Sequence, residues 1–261
     1  MNDKQKYWEN YLNYWLKRVN DSNVGNKNTE IKDKIANDEV SCTYIDLLHS
    51  YCKKKFLKNK ILDYGCGAGR FYEKICSLNM EYYGCDIAKS CLEYCKQNYG
   101  DIRLKQVTTD KIPWDNNFFD SLFCYGVFDA CKQNILLEEI LRVLKPNGVA
   151  LISGKNILFQ EEDDDALYAE IAARKNGHPN YFTDFKNMYS QLIDRKIQIL
   201  ETRFFEKRRD SAINKFTHHM PDRFYSWILY IVKPEKYTYI PFSKFSSNYS
   251  MTFLSRMKDG R

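Results

Sequence analysis

From residue 60 onward, short apolar runs of β type alternate with segments whose apolar residues recur at helical spacing. The runs lie near residues 60–64, 81–85, 102–107, 119–125 and 148–154. The clearest helix is Ile135 to Leu144, where Leu136, Ile140, Val143 and Leu144 share a face and Pro146 and Gly148 bar continuation. Strands and helices in this order predict an α/β fold, a parallel sheet covered on both faces with ligands at the carboxyl ends of its strands. Beyond Lys155 the alternation breaks into an insert. It carries the acidic run Glu161 to Asp165, a short helix through Ala172, the loop Asn176 to Asn180 and another helix from near Thr183. The acidic run reads as helix N-terminal charge rather than a metal site. Two β-rich runs follow, Ile197 to Phe205 and Phe224 to Val232, and the tail from Pro234 is aromatic and polar without clear period.

Ahead of the sheet, Trp8, Leu12, Trp15, Leu16 and Val19 give one wide apolar helical face, with Tyr7, Tyr11 and Tyr14 on a neighbouring face. Such a helix either packs on the core or, through its tyrosines, lids a ligand cleft. A polar loop is expected at Asp21 to Asn28 and a second helix at Asp38 to Tyr51.

A chain of 261 residues holds one substantial core, so a single domain is expected. Its parts are a helical extension (1–55), a cofactor-binding core (56–155), an acceptor-side insert with a closing hairpin (156–233) and a tail (234–261). Hydrophobic residues make up 44% and are spread along the chain, against long disorder. No apolar stretch approaches the roughly 20 residues of a membrane span. The polar start, Met1 to Lys6, is unlike a signal peptide, so a cytoplasmic protein is expected. All nine cysteines lie between Cys42 and Cys131 without a C-x-x-C pair, which reads as reduced core thiols and no metal site. A net charge of +6 permits an anionic substrate or RNA and demands neither.

The most informative stretch is Ile61 to Arg70, where an apolar run reaches Asp63 and glycines fall at Gly65, Gly67 and Gly69. Glycine allows the positive φ angles and close approach that a cofactor-cradling turn needs. The spacing is G-x-G-x-G, which fits a dinucleotide fingerprint poorly. A second acid, Asp86, closes the next apolar run, Tyr82 to Cys85.

With Leu62 and Asp63 before the glycines and Asp86 after them, the segment resembles the class I S-adenosylmethionine-dependent methyltransferases. Further matches follow in family order: Thr109 to Pro113, Asn117 to Asp120, and Leu141 to Gly148. The resemblance implies a Rossmann-like seven-stranded sheet of order 3-2-1-4-5-7-6, with the last strand antiparallel and helices on both faces. It implies S-adenosylmethionine as cofactor and S-adenosylhomocysteine as product. Gly65, Cys66, Gly67 and Gly69 would line the methionine moiety, with Asp63 orienting the loop. Asp86 would accept the ribose hydroxyls and Ile87 pack on the base. Asp110 would accept from the adenine amino group beside Lys111 and Ile112, and Tyr125 would end the fourth strand near the methyl group. For Asp63 and Asp86 strand-end capping is the competing role, and for Tyr125 and Asp129 a purely structural one.

The acceptor side is less explicit. Histidine can serve as a base near neutral pH, which makes His178, His218 and His219 the catalytic candidates. Arg208 and Arg209 suggest an anion site, with Tyr14 and Tyr181 as further substrate contacts. The expected acceptor is a small molecule, phosphorylated or nucleotide-linked, methylated on oxygen. More loosely, the helical start, the Tyr181 to Phe185 segment and the tail resemble bacterial methyltransferases that decorate sugars or phosphoryl groups of surface polysaccharides. An RNA-modifying enzyme of the same fold and a non-catalytic binding protein are the alternatives. No DNA partner is expected, and either a monomer or a homodimer is compatible.

Overall fold

The computed structural model describes residues 5–10, 38–53, 59–108 and 110–258, apart from the side chains of Asp38 and Lys53. Tyr11, Leu12, Tyr14, Trp15, Leu16, Val19, the expected loop at 21–28 and Thr109 lie outside the described residues. Residues 5–10 are helical, and helix α1 (Asp38–Lys53) leads into the sheet. The alternating core is β1 (Lys60–Tyr64), α2 (Tyr72–Ser77), β2 (Glu81–Asp86), α3 (Lys89–Tyr99), β3 (Arg103–Gln106), β4 (Phe119–Cys124), α4 (Gln133–Val143) and β5 (Leu144–Lys155). The insert and closing strands are α5 (Asp164–Lys175), β6 (Phe182–Thr183), α6 (Phe185–Asp194), β7 (Gln198–Phe205) and β8 (Ser226–Val232). The tail adds β9 (Ser246–Ser247) and α7 (Met251–Lys258).

Seven strands form one sheet in the order β3-β2-β1-β4-β5-β8-β7, with β8 antiparallel to both neighbours. This is the expected topology, the two-residue β6 shifting only the strand numbers. Both sheet faces are covered, so alternation within a strand separates two apolar cores rather than core from water. Leu62, Leu122 and Leu229 face α4 and α6 through residues such as Leu137 and Phe185. Ile61, Phe123 and Tyr230 face α1 through Tyr44, Ile45 and Leu48. Among the described residues no helix is long and apolar enough to cross a membrane, and all nine cysteines are unbridged.

Two expectations need adjustment. β5 starts at Leu144, before the proline and glycine that end α4 in sequence, because Leu144 pairs with Phe119 and Val149 with Ser121. The register slips across this stretch, with Asn147 at φ +63°, so Pro146 sits in a bulge where a missing N–H costs no ladder bond. The tail is also more ordered than its sequence suggests. Phe242 and Phe245 enter the core, β9 pairs with β6, and Ser250 bonds to the buried Glu170 of α5. The acidic run acts as expected: Asp163 caps α5 by accepting the Ala166 N–H at 3.2 Å, with Asp164 and Asp165 in the first turn.

The topology collects chemistry at one rim. β1, β2, β4 and β5 end there, and antiparallel β8 begins there, with Ser226 opposite Lys155 and Trp227 opposite Gly154.

Candidate active site

A cavity of about 670 Å³ opens along this rim, from the glycine loop and Asp86 at one end to Lys155, Arg208 and Trp227 at the other. The loop after β1 turns through Gly65, Gly67 and Gly69 at φ +76°, +53° and +78°. It is tied down by the Gly65 and Cys66 N–H groups, which donate to the Cys85 carbonyl at 2.8 and 3.0 Å. At Gly65 a Cβ would lie 2.5 Å from Val127 Cγ2, whereas at Gly67 it would meet open space. Packing therefore demands glycine at the first position, and a ligand has room at the second.

Asp86 stands beside that space. Its Oδ2 accepts the Gly67 N–H and its Oδ1 the Ala88 N–H, each at 2.9 Å. Burial holds its pKa above the ordinary carboxylate value against these donors. Each carboxylate oxygen retains a lone pair for a further donor such as a ribose hydroxyl. Strand-end capping and cavity lining thus coexist at Asp86. Asp110 also lines the cavity and is paired with Lys132 at 2.7 Å. Cys66, Ile87 and Tyr125 line it too, the Tyr125 ring stacked on Phe123. The glycine cradle, the open space at Gly67 and the strand-end acid fit the methionine and ribose ends of S-adenosylmethionine.

At the far end, Asp129 and Lys155 form a nearly enclosed ion pair at 2.6 Å, and Asn180 accepts from the same ammonium at 3.1 Å. Burial works against both charges, yet the pairing prevails: it holds Asp129 below the usual carboxylate value and Lys155 above the usual ammonium value. His178 lines this region, with the Tyr7 ring stacked on it at 5.2 Å and Trp8 edge-on at 5.1 Å. Burial, reinforced by the Lys155 charge, pushes the His178 pKa down to about 4. Trp8 itself lines the cavity, and Glu9 fastens the segment by accepting the Lys89 and Ser90 N–H groups at 2.6 and 3.0 Å. Tyr181 lines the wall, its N–H donating to the Asp129 carbonyl at 2.7 Å.

Several sequence candidates do not reach the cavity wall. Asp63 is buried beneath the loop, accepting the Tyr82 hydroxyl at 2.9 Å, and its burial raises its pKa to about 7. Gly69 packs against Tyr99 and Cys95. Ile112 is anchored in the core, its N–H donating to Glu139 at 2.7 Å, while Lys111 is exposed in a separate shallow depression with Trp114. Arg209 points outward to Asp165 at 3.0 Å, so the expected anion site retains only Arg208. His218 is exposed against Phe216, with its Nδ1 2.9 Å from the Thr202 carbonyl, and His219 is exposed as well. The hairpin loop that carries both histidines does not bring them to the cavity.

Sequence reasoning passed over Ser153, Lys155, Tyr225 and Trp227. Ser153 Oγ accepts the Gly126 N–H at 2.8 Å and locks the end of β4 to β5. A lysine closing the buried run Gly148 to Gly154 was the available signal for Lys155. Nothing short of the antiparallel pairing of β8 places Tyr225 and Trp227.

The profile of the family described as methyltransferase domain matches residues 62–152. An uncharacterized protein of Rickettsia prowazekii is 30% identical over 46% of this chain and 58% of its own length. The ubiquinone biosynthesis O-methyltransferase of Pelagibacter ubique is 30% identical over 39% of this chain and 45% of its own. The chain spans about half the length of these curated relatives. The fold is shared with a solved structure described as a putative sarcosine dimethylglycine methyltransferase from Galdieria sulphuraria, at 14% identity and a TM-score of 0.53 over 75% of this chain and 84% of that one. The profile match over residues 62–152, the glycine loop, the strand-end acid and the strand order agree with one another, and this segment is similar to the class I S-adenosylmethionine-dependent methyltransferase domain.

Proposed function

We propose that this chain transfers a methyl group from S-adenosylmethionine to an oxygen of a small polar or anionic acceptor, such as a sugar, nucleotide-sugar or phosphoryl group of surface-polysaccharide biosynthesis in the cytoplasm. One observation carries the reading: a single cavity joins Gly67 and Asp86 to a wall containing Lys155 and Arg208. When bound, S-adenosylmethionine supplies a methyl group already activated by the sulfonium charge. The protein's share is alignment, and holding reactants in attack geometry can contribute on the order of 7 to 11 kcal/mol of a barrier. In this reading Gly67 gives the methionine moiety room and Asp86 orients the ribose. Trp8 and the Tyr7–His178 stack wall off the acceptor end, which favours a small molecule over a folded RNA.

Tritiated methyl donor, incubated with the protein and separate pools of sugars, sugar phosphates, uronic acids and transfer RNA, tests this. Label should enter a small-molecule pool and be lost in Asp86→Ala. Label in RNA alone would replace the acceptor class. Cofactor binding with no transfer to any pool would restore the non-catalytic alternative.

A further inference from the structure

We propose that the acceptor end of the cavity is an oxyanion subsite in which Arg208, Lys155, Tyr225 and Trp227 hold a carboxylate or phosphoryl group, and that an oxygen of that same anion is the one methylated. The inference rests on the methyltransferase reading and narrows it to one kind of nucleophile.

The first observation is the donor inventory of this wall. Trp227 is fully buried, lines the cavity, and its indole N–H has no hydrogen-bond partner among the described residues. A buried unpaired donor costs on the order of 1 to 3 kcal/mol, a cost that a ligand acceptor reaching this indole would relieve. Its place is set by Gly154, where a Cβ would come within 2.6 Å of the indole. The Arg208 guanidinium makes no side-chain hydrogen bond or close ion pair among the described residues. The Asp163 carboxylate, which accepts the Arg208 backbone N–H at 2.7 Å, is its acidic neighbour, and the guanidinium lies close enough to Lys155 for its charge to oppose the lysine's. The Tyr225 ring lies here too, and its hydroxyl makes no hydrogen bond among the described residues. Ammonium, guanidinium and indole donate only, so this wall asks for an acceptor of hydrogen bonds that carries negative charge.

The second observation is what the wall lacks among the described residues. Asp129 is committed to Lys155 at 2.6 Å, and Asp86 and Asp110 belong to the glycine-loop end. His178, enclosed by Tyr7 and Trp8 and next to the Lys155 charge, is held neutral and is a poor proton acceptor. A hydroxyl nucleophile needs a base poised near the working pH. An oxyanion needs none. As the sulfur–methyl bond breaks, its electron pair stays on sulfur. A lone pair of the anionic oxygen forms the new carbon–oxygen bond, and the two opposite charges cancel without release of a proton.

Calorimetry on the full chain saturated with S-adenosylhomocysteine tests the subsite, with glucuronate, glucose 1-phosphate and neutral glucose as probes. At least one anion should bind and glucose should not. Arg208→Met and Trp227→Phe should each weaken the anion by about tenfold or more while leaving S-adenosylhomocysteine affinity within about twofold. Failure of both anions to bind better than glucose, or indifference to both substitutions, overturns the subsite. With the anion turned over, pH-indicator readings should show no proton released per methyl transferred, and one proton per methyl overturns the assignment of the nucleophile. Loss of S-adenosylhomocysteine binding by the wild-type chain would be a failure of the methyltransferase reading instead.

Discussion

The backbone N–H of Gly67 donates to Asp86 Oδ2 at 2.9 Å, so the acid that ends β2 holds the middle of the glycine loop from below. Its other oxygen holds the opening of α3 through Ala88. Asp86→Asn replaces one of these acceptors with a donor and removes the charge. Hydrogen bonds to charged groups contribute about 1.5 to 3 kcal/mol, so the dissociation constant for S-adenosylhomocysteine should rise by about tenfold or more. Equilibrium dialysis with labelled ligand measures it, and an unchanged constant would separate Asp86 from the cofactor.

The glycines should divide by function. Gly65→Ala meets both a left-handed φ of +76° and Val127 Cγ2 at 2.5 Å. Strain and overpacking together cost about 2 to 5 kcal/mol, so this variant should lose thermal stability before anything else. A melting temperature equal to wild type would show that the loop relaxes freely away from Val127.

The sheet was legible in the sequence because both its faces are buried. Runs such as Ile61–Leu62 and Leu122–Phe123 are continuous and apolar, and the glycines and Pro146 mark their ends. The donor end was legible for the same local reason: Gly65, Gly67 and Asp86 lie at strand ends whose positions follow from the pattern. The acceptor end was not, since it is assembled from segments far apart in sequence. Lys155 meets Asp129, Trp8 meets His178, and Trp227 lies over Gly154 only once β8 has inserted between β5 and β7. His218 and His219 show the converse, suitable chemistry in a loop that tertiary structure turns to solvent.

Asp129 and Lys155 should respond differently to single and double replacement. Lys155→Met leaves a buried carboxylate unpaired, a change that costs about 3 to 5 kcal/mol. Adding Asp129→Asn removes the orphaned charge and should recover a large part of that loss without restoring methyl transfer. Urea denaturation of the two single variants and the double variant gives the coupling directly. Additive losses would show that the pair contributes no mutual stabilisation.

Stability should carry two opposing pH slopes. Burial raises the folded-state pKa of Asp63 to about 7 against an unfolded value near 4. The native state therefore binds more protons than the unfolded state between those values, and stability from this group falls as pH rises from about 4 to 7. His178 is depressed to about 4 from about 6.5, so the unfolded state binds more protons and stability from this group falls as pH drops through that range. Asp63→Asn should gain stability relative to wild type as pH rises toward 8. His178→Gln should gain it relative to wild type as pH falls toward 4. Melting temperatures across pH 4 to 8 for the three proteins test both signs, and parallel curves would show that neither group is shifted by folding.

The open space at Gly67 should receive S-adenosylmethionine. Calorimetric titration of wild type and Gly67→Ala with S-adenosylhomocysteine tests this, because a Cβ there meets no atom of the described residues within 4 Å beyond its chain neighbours, so the substitution bears on a ligand rather than on packing. Saturable one-to-one binding by wild type is predicted. Gly67→Ala should bind about tenfold or more weakly while losing about 1 to 2 kcal/mol of stability from its left-handed φ. Absence of saturable binding to wild type, or equal affinity in the two proteins, would show that the cofactor does not occupy this space.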